Sequence, residues 1–346
     1  MYLLEWIFHQ SKQVAPYKDC FGELDAEGRN GDGSKPSDHE AVTRRFSNEV
    51  TANDSLYAYN EIYIDARAPG GATRGVITLF GLSAGGLPFY SAYGLVSGVI
   101  GAFVEWLEHG TRLAPDFFIC GLVLIPALIV TVFYYSWKYG WPFLRLEMFT
   151  ARRLIIRFNR VTRKVYLLRP DHLGGIVICD WDQTKTSLDP AMGELEGGEA
   201  VLLLWDKGEA MRLDGRRTED VEIVLIGKIA QDGKELLAFW EYIRRYMEEG
   251  PAAAPPPKKL INKSPSPWQS FKAVSWLDRR FFRHSALWVF VLVYVLILPF
   301  TLVHALGHWL SLLLCYEPKF PREIEEAGKP SSSPLGRSLM AHGAAK

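Results

Sequence analysis

Residues 75–104 read GVITLFGLSAGGLPFYSAYGLVSGVIGAFV and contain no Asp, Glu, Lys or Arg. Two further runs share this property, Phe117 to Trp137 and His284 to Tyr316. A helix needs about 20 apolar residues to cross a bilayer, so each run is long enough to span one. The pattern predicts an integral membrane protein of the α+β class, with a polar domain between its second and third membrane segments.

The composition and short motifs exclude several classes of function. The 346 residues carry 39 basic and 39 acidic side chains, so no net charge attracts nucleic acid, and we expect no nucleic-acid partner. The four cysteines, at positions 20, 120, 179 and 315, are far apart and indicate a reducing, cytosolic environment rather than a disulfide framework. Because no P-loop, GxGxxG, HExxH or zinc-finger spacing occurs, we expect no cofactor, no metal and no catalytic residue.

The chain order predicts six segments. The first eight residues, MYLLEWIF, lack the basic start and cleavage site of a signal peptide, and we expect a packed terminal turn of helix rather than a membrane-surface anchor. The predicted segments are 1–74, an N-terminal cytoplasmic segment with a flexible linker at 28–40; 75–140, a transmembrane helical hairpin; 141–250, a cytoplasmic β-rich domain; 251–283, a Pro-rich linker and basic juxtamembrane segment; 284–316, a third membrane segment; and 317–346, a tail disordered at its end.

Basic residues predict the orientation in the membrane. The connector from Glu105 to Asp116 has a single arginine, whereas the outer flanks of the hairpin and the residues before the third run are rich in Arg and Lys. Because basic loops stay inside, the middle domain is predicted on the cytoplasmic face of the membrane. The third run either exits to the far side or, if Pro299 breaks it into a re-entrant or interfacial piece, returns the tail to the cytoplasm.

The middle domain has the pattern of a small β domain closed by a helix. Leu236, Trp240, Ile243 and Met247 form one apolar stripe on a helix that begins near Gly233 and stops at Gly250-Pro251. This order is typical of pleckstrin-homology-like domains, an analogy of fold alone. The predicted strands of this domain are 154–158, 164–168, 176–179, 201–204 and 221–229, with a turn at 159–162. Residues 60–66, before the first run, also alternate as a short strand would.

The first run is rich in glycine. Gly81 and Gly85, and again Gly94 and Gly98, have the GxxxG spacing that lets helix backbones approach closely in lipid. We predict a helix-packing surface at these four residues, for a partner protein or for a second copy in a homo-oligomer. The run is about 30 residues long, so it is kinked, strongly tilted, or interrupted by an interfacial turn near Gly85 to Pro88. Residues 81–85 also match the GxSxG nucleophile motif, but their setting favours helix packing.

Two other pairs of side chains have both a chemical and a structural interpretation. His304 and His308 share a helix face and could bind metal or relay protons, but we favour a position at headgroup level. Asp180 and Asp182 could bind Mg²⁺ or act as acid and base, but at a strand end they are more often turn and capping groups.

Basic residues crowd the first hairpin of the middle domain. Each such charge near an anionic leaflet contributes about 1 kcal/mol, so this hairpin is a candidate surface for lipid or for a protein partner. The candidate residues are Arg152, Arg153, Arg157, Arg160, Arg163 and Lys164.

Three segments resemble a domain-of-unknown-function family of bacterial membrane proteins. They are Arg157 to Tyr166 (RFNRVTRKVY), Asp180 to Asp182 (DWD) and Phe239 to Pro251 (FWEYIRRYMEEGP); NEIYID at Asn60 to Asp65, with Arg74-Gly75 at the entry to the first run, is also similar. The resemblance covers roughly residues 56–325. It implies genes that neighbour type VI secretion effectors, including colicin-like membrane-acting toxins, and hence an accessory or immunity role at the inner membrane.

Two hypotheses follow. In the first, the protein is an inner-membrane immunity or accessory protein that binds a membrane-acting effector within or at the bilayer. In the second, it is a membrane-tethered module whose cytoplasmic domain binds anionic lipid or a protein partner. An intramembrane enzyme or transporter is disfavoured, because the three runs contain no acidic residue.

Overall fold

The computed structural model describes Trp6 and residues 40–69, 74–110, 119–186, 188, 200–275 and 287–329. The chain divides into two compact units. The helical unit comprises residues 1–2, 71–150 and 265–316, and the β unit comprises residues 3–70, 151–264 and 317–346. The predicted linker before Glu40, all of MYLLEWIF except Trp6, and the end of the tail lie outside the described residues.

Eight α-helices lie in the described part of the chain. They are α1 (Glu40–Thr43), α2 (Val76–His109), α3 (Ile125–Tyr135), α4 (Trp141–Leu144), α5 (Gly233–Glu248), α6 (Pro267–Val274), α7 (Leu287–Leu313) and α8 (Arg322–Glu326). Two of them, α2 and the stretch Tyr294–Leu313 of α7, are long and apolar enough to cross a membrane.

The first apolar run forms one continuous helix, α2, with Pro88 inside it. The interfacial turn predicted near Gly85 to Pro88 is therefore wrong. A proline removes one backbone hydrogen bond, whereas a non-helical turn would expose several unpaired groups among apolar surroundings. The helix also continues past Val104 and ends at Gly110, which has a φ of 61°. Its 34 residues extend about 51 Å, well beyond a hydrocarbon core of about 30 Å.

The second apolar run is helical but changes pitch twice. A π-helical turn at Cys120–Leu124 precedes α3, and a second one at Ser136–Gly140 precedes α4. Each turn ends just before a helix with proline at its start, Pro126 in α3 and Pro142 in α4. A proline ring clashes with the carbonyl four residues earlier, and the wider π turn relieves that clash while the chain stays helical.

The third apolar run also forms one helix, because Pro299 lies inside α7 without ending it. The alternative in which Pro299 breaks this run is therefore wrong. One face of α7 packs inside the helical unit, and the other carries large exposed apolar side chains. The buried face consists of Thr301, Ala305, His308 and Ser311.

The β unit contains two antiparallel sheets. The six-stranded sheet has the order β1-β2-β3-β4-β5-β8, and the three-stranded sheet has the order β6-β7-β9. Six strand positions predicted from the sequence are confirmed within a few residues, but β1, β6 and β8 were not predicted because they are only two to four residues long. The strands are β1 (Leu56–Tyr59), β2 (Tyr63–Arg67), β3 (Ile155–Asn159), β4 (Lys164–Leu168), β5 (Ile176–Asp180), β6 (Lys185–Thr186), β7 (Val201–Trp205), β8 (Ala210–Arg212) and β9 (Glu222–Ile226).

The β unit is larger than the domain predicted at 141–250, because chain segments on either side of it join the sheet. β2 pairs with β3 in antiparallel register, with Ile64 opposite Phe158, although α2 to α4 intervene in sequence. β1 extends the same sheet beyond β2. At the other end of the chain, residues 317–329 cover one face of the sheet through Phe320 and Ile324.

Local sequence explains how the β3–β4 hairpin and α5 are formed. Asn159 Oδ1 accepts hydrogen bonds from the amides of Val161 and Thr162, both at 3.1 Å, which closes the predicted turn. Asp232 caps the first turn of α5 by accepting from the Glu235 amide at 2.8 Å. Gly250, with a φ of 91°, ends the helix where the sequence predicted.

The helix α5 is buried on more of its faces than its single apolar stripe predicted. Trp240 is 0% exposed and its ring lies 5.6 Å from that of Trp181 at the end of β5. Residues on the remaining faces are buried as well, including Glu241 and Arg244. The segments at 46–47 and 251–255 bond to this helix and cover it. The predicted stripe is therefore part of a helix that is buried on nearly all sides.

Candidate functional site

A cluster of polar side chains, all buried except the half-buried His304, lies where three segments of the helical unit meet. We call it the polar cluster; it consists of Arg74, Thr78, Glu147, His304, His308, Ser311 and Cys315. Arg74 precedes α2, Thr78 lies in its first turn, and Glu147 follows α4. The remaining members lie in the second half of α7 or, for Cys315, just beyond its end. Buried charge is costly unless it is hydrogen-bonded, so the bonding of Arg74 and Glu147 determines what the cluster does.

Arg74 joins all three segments. Its guanidinium donates to Ser311 Oγ at 2.8 Å, to the Glu147 carbonyl at 2.8 Å and to Cys315 Sγ at 2.8 Å. His304 Nε2 lies 3.0 Å from the Arg74 carbonyl oxygen. The arginine therefore ties the start of α2 to the end of α7 and to the segment after α4.

Glu147 caps α2 from a distant part of the chain. Its Oε2 accepts from the amides of Gly75 and Thr78, both at 2.9 Å, and from Thr78 Oγ1 at 3.1 Å. The first amides of a helix have no partner within the helix, and a carboxylate at this end also interacts favourably with the helix dipole. The side chain at 147 thus supplies the cap that residue 75, a glycine, cannot.

Two glycines allow α2 and α7 to approach closely beside the polar cluster. A Cβ on Gly307 would lie 2.5 Å from Leu79 Cγ and 2.7 Å from the Gly75 carbonyl oxygen. A Cβ on Gly75 would lie 2.3 Å from the His308 amide nitrogen, and its φ of 102° also favours glycine. Neither glycine was identified as a packing residue from the sequence, because their spacing is not GxxxG.

The described bonds of the polar cluster join segments of the helical unit to one another, and we call this arrangement a polar lock. Ser311 Oγ donates to the backbone carbonyl of His308 at 2.8 Å and accepts from Arg74. A nucleophilic serine would instead donate to a histidine ring nitrogen. His304 and His308 do share one part of the helical unit, as predicted, but His308 is only 6% exposed. The position of both histidines at headgroup level stays a prediction.

The sequence contained a signal for this cluster. Arg74 is the last charge before the first apolar run, and Glu147 is the first acidic residue after the second. Ionisable residues at the ends of apolar helices are candidates for function or for pairing. The pattern could not show that these two residues, 73 positions apart, share a site.

The four glycines predicted for helix packing have different environments. A Cβ on Gly81 would lie 2.1 Å from Leu144 Cδ2, so Gly81 packs against α4 within the same unit. Gly94 and Gly98 have no neighbouring atom within 4 Å of such a Cβ in the described structure. Gly85 lies within α2, and its surroundings are outside the described part of the structure. Among the three glycines whose surroundings are described, Gly81 alone packs against another part of the chain.

The GxSxG motif lies inside α2, where it forms no nucleophile elbow. Ser83 is exposed and its hydroxyl donates to the Phe80 carbonyl at 3.0 Å, a bond within the helix. A nucleophile elbow needs a strand before the serine and a helix after it. The interpretation of this motif as helical is confirmed.

The basic hairpin of the β unit bonds mainly to carboxylates of its own unit. Arg152 and Arg153 both pair with Glu317, at 3.2 and 3.3 Å. Arg163 pairs with Asp182 and Glu248, and its hydrogen bond to Asp182 raises the pKa of its guanidinium above the ordinary value. Arg160 donates to the Glu61 carbonyl, and within the described chain neither Arg160 nor Lys164 pairs with a carboxylate.

Arg157 does not belong to an exposed surface, which corrects its place in the predicted set. It is 2% exposed and binds Asp65 through two hydrogen bonds of 2.7 and 3.0 Å. Its guanidinium carbon lies 3.7 Å from the centre of the Tyr63 ring and 4.1 Å from that of Phe320. Burial alone would lower the pKa of Arg157, but the bonds and charge of Asp65 raise it, so the arginine stays charged.

The acidic pair at the end of β5 has a structural role. Asp182 binds Arg163, and the Trp181 indole between the two acids donates to Glu248 Oε1 at 2.6 Å. Asp180 occupies the N-cap position of the short helix at Trp181–Gln183 but makes no side-chain cap hydrogen bond there. The predicted capping role is therefore not found for Asp180, and Asp182 forms an ion pair instead. Among the described residues, no group of three or more His, Cys, Asp and Glu side chains could hold a metal ion.

The fold and these contacts define a class of protein: a mixed α+β protein with antiparallel sheets, two long apolar helices and a buried polar lock. Within that class the chain belongs to DUF6708, a family of unknown function whose model matches residues 136–331. The family match thus begins at the end of the second apolar run rather than at residue 56. No curated protein and no solved structure matches the chain, so the pleckstrin-homology-like assignment stays a prediction.

Proposed function

We propose that this protein is a membrane-embedded binding protein, and not an enzyme, whose helical unit recognises an apolar helix of a partner protein within the bilayer. More specifically, we propose an immunity or accessory role for this binding protein at a bacterial inner membrane, against a colicin-like effector of a type VI secretion system. The β unit would then lie in the cytoplasm, because the basic residues flank the membrane segments on that side.

The observation that carries the proposal is the open apolar face of α2. None of its most apolar stretch is buried inside the chain, and Gly94 and Gly98 have open space where a side chain would project. These two glycines lie one turn apart on one face of the helix. In lipid, such small residues let a second helix approach the backbone closely.

An immunity role would use this face by direct competition. A pore-forming effector inserts apolar helices that must associate with one another to form a channel. Docking one of them against Gly94 and Gly98 would remove it from that assembly. A second copy of this chain could occupy the same face, which would instead make the surface a homo-oligomer contact.

A protection assay tests the proposal. The candidate effector encoded beside this gene is induced in a sensitive host, with and without this protein, while the membrane potential is followed. We expect the potential to be retained only when the native protein is present, and to collapse in the double variant Gly94→Leu and Gly98→Leu. Collapse with the native protein would refute the immunity role.

The matched control changes the opposite face of the same helix. Val96→Leu and Ile100→Leu alter two exposed positions that lie about 200° around the helix from the glycines. This variant should protect as well as the native protein. Full protection by the glycine variant, at equal membrane abundance, would contradict the docking face even if the protein is an immunity factor.

A second candidate function is binding of anionic lipid or a protein partner by the β unit. The observation in its favour is that Arg160 and Lys164 retain charges that no described carboxylate neutralises. Replacing both by Ala should weaken binding of the protein to anionic vesicles. Replacing the exposed Arg216 and Arg217, which removes the same charge elsewhere, is the control; equal loss in both variants would indicate a non-specific charge effect.

A further inference from the structure

We infer that the third apolar segment enters and leaves the membrane on the side of the β unit, so that α7 contacts the acyl chains of that leaflet without crossing the bilayer. This inference rests on the proposed membrane location of the helical unit. It is not obvious from α7 alone, since the helix is long and apolar enough to cross.

The chain before the segment is bonded to the β unit as far as residue 263. The Ile261 amide donates to the Leu56 carbonyl of β1 at 2.8 Å. Arg153, just before β3, donates to the Lys263 carbonyl at 2.5 Å. The Pro-rich linker is therefore not a free tether at this point, and its last residues lie against the sheet.

The chain after the segment returns to the same unit at once. We call residues 317–329 the strap. Phe320 and Ile324 of the strap belong to an apolar cluster with Ile155, Tyr166 and Leu168 on one face of the six-stranded sheet. The strap is thus part of the folded core of the β unit.

Polar bonds hold the strap along β3. Glu317 pairs with Arg152 and Arg153, and Glu325 pairs with the buried Arg157 at 3.2 Å. The side-chain amide nitrogen of Asn159, Nδ2, donates to the Ala327 carbonyl at 2.9 Å. These contacts extend along the strap from Glu317 to Ala327.

A folded unit lies on one side of a bilayer. Because both residue 263 and residue 317 are bonded to the β unit, the chain between them must cross an even number of times. A single crossing by α7 would leave the strap on the wrong side, separated from Ile155 and Arg157.

Two crossings are disfavoured by the residues before α7. A returning span would have to lie within residues 264–286, whose only described helix, α6, has eight residues and extends about 12 Å. The same stretch contains five charged side chains, Lys272, Asp278, Arg279, Arg280 and Arg283, and each is costly in hydrocarbon. The remaining possibility is that the chain between residues 263 and 317 does not cross the bilayer.

The surface of α7 fits this position. Its buried face packs inside the helical unit, whereas Val295, Phe300, Leu302 and Leu306 are exposed. In water this face would be an unusually large apolar patch. Within one leaflet this face contacts acyl chains.

Thiol accessibility in the full-length chain tests which side each flank occupies. Single cysteines are introduced by Ser264→Cys before the segment, Lys319→Cys in the strap and His109→Cys at the end of α2, all exposed positions. A membrane-impermeant thiol reagent is applied to intact spheroplasts and to inverted vesicles. We expect positions 264 and 319 to react from one side and position 109 from the other.

The outcomes separate this inference from the proposed function. Reaction of position 319 from the side of position 109 would overturn the inference and leave the membrane-crossing hairpin intact. Reaction of all three positions from one side would support the inference but refute a hairpin that crosses the membrane, and with it the docking of an effector helix inside the bilayer.

Depth measurements test the placement of α7 itself. Val295→Cys and Leu306→Cys carry spin labels on one helix face, since the two positions are three turns apart. A helix that crosses would place them about 16 Å apart in depth. We expect both labels to be accessible to oxygen at similar depths; a depth difference near 16 Å would overturn the inference.

Discussion

The helical unit and the β unit have opposite distributions of polarity. In the helical unit, large apolar side chains such as Phe89, 67% exposed, point outward while Arg74 and Glu147 are buried. In the β unit, Trp240 and Phe158 are buried, and the more exposed charges pair near its surface. Burial of apolar area stabilises a fold only where water is the surrounding solvent. The proposed membrane location of the helical unit would account for this contrast, with lipid around the helical unit and water around the β unit.

Buried charge also has a different use in each unit. In the β unit Arg157 meets a carboxylate, Asp65, and two aromatic rings. In the helical unit Glu147 meets the amides and the hydroxyl at the start of α2. The first arrangement connects strands of one sheet, and the second connects the start of α2 to the segment after α4.

The largest expected effect comes from a substitution in the hydrophobic core of the β unit. Trp240→Ala should lower the free energy of unfolding of the β unit by about 3–5 kcal/mol, because it removes a fully buried ring and leaves a cavity. Tyr90→Ala in α2, where the ring is 77% exposed, should change stability by about 0.5 kcal/mol or less. Urea unfolding of the full chain in detergent, followed by near-ultraviolet circular dichroism, measures both.

A second test concerns the cap at the start of α2. Glu147→Ala should destabilise the helical unit by about 2–4 kcal/mol, because it leaves buried donors without an acceptor. Hydrogen exchange at the Gly75 and Thr78 amides should accelerate locally. Glu105→Ala, at an exposed position of the same helix, is the control, and equal protection of both amides in the two variants would refute the capping role.

A third test compares two glycines of the apolar helices. Gly307→Ala should destabilise the α2–α7 contact by about 1–3 kcal/mol, because the added methyl group meets Leu79 and the Gly75 backbone. Gly101→Ala meets open space and should be neutral, or stabilising by about 1 kcal/mol through helix propensity. Thermal unfolding in one detergent ranks the two variants, and the reverse order would contradict the close approach.

The smallest expected effect is a dependence of stability on pH in the β unit. Burial alone would raise the pKa of Glu241, but bonds from Arg244, Arg245 and the Phe46 amide lower it below its usual 4.5. The stabilisation by ionised Glu241 is therefore fully present above the pKa of this group in the unfolded chain. It is lost as the pH falls through the lower pKa of Glu241 in the folded protein. Glu241→Gln should lower the free energy of unfolding of the β unit at pH 6. In acid, the variant and the native protein should have the same stability.

An exposed carboxylate provides the comparison for that experiment. Glu219→Gln should leave the acid unfolding profile unchanged, because Glu219 is exposed. Urea titrations at a series of pH values measure both variants. Parallel profiles for Glu241→Gln and the native protein would show that the network around Glu241 does not contribute to the pH dependence.

Prediction from the sequence succeeded where the signal is local. β4 was predicted at its observed residues, 164–168, and α5 began and ended where Gly233 and Gly250 indicated. Strand β1, LYAY at Leu56–Tyr59, was not predicted, because four residues give little alternation to detect. Burial of α5 on nearly all sides was also not predicted, since the segments that cover it are distant in sequence.

The candidate sites depended on pairing that composition cannot reveal. A cluster of arginines predicts a basic surface, but whether a given arginine faces solvent depends on which carboxylates fold against it. Arg157 meets Asp65 from 92 positions away, and Arg152 meets Glu317 from 165 positions away. The exposed basic surface is consequently smaller than the sequence predicted.

By itself the sequence determined the three charge-free runs, the strand and helix positions of the middle domain, and the family resemblance, because each depends on residues that are neighbours in the chain. Only the tertiary structure decided that β2 pairs with β3 across the intervening helices, that the strap returns to the sheet, and that Glu147 caps α2. These depend on contacts between segments far apart in sequence, and such contacts form only when the whole chain can bury them together.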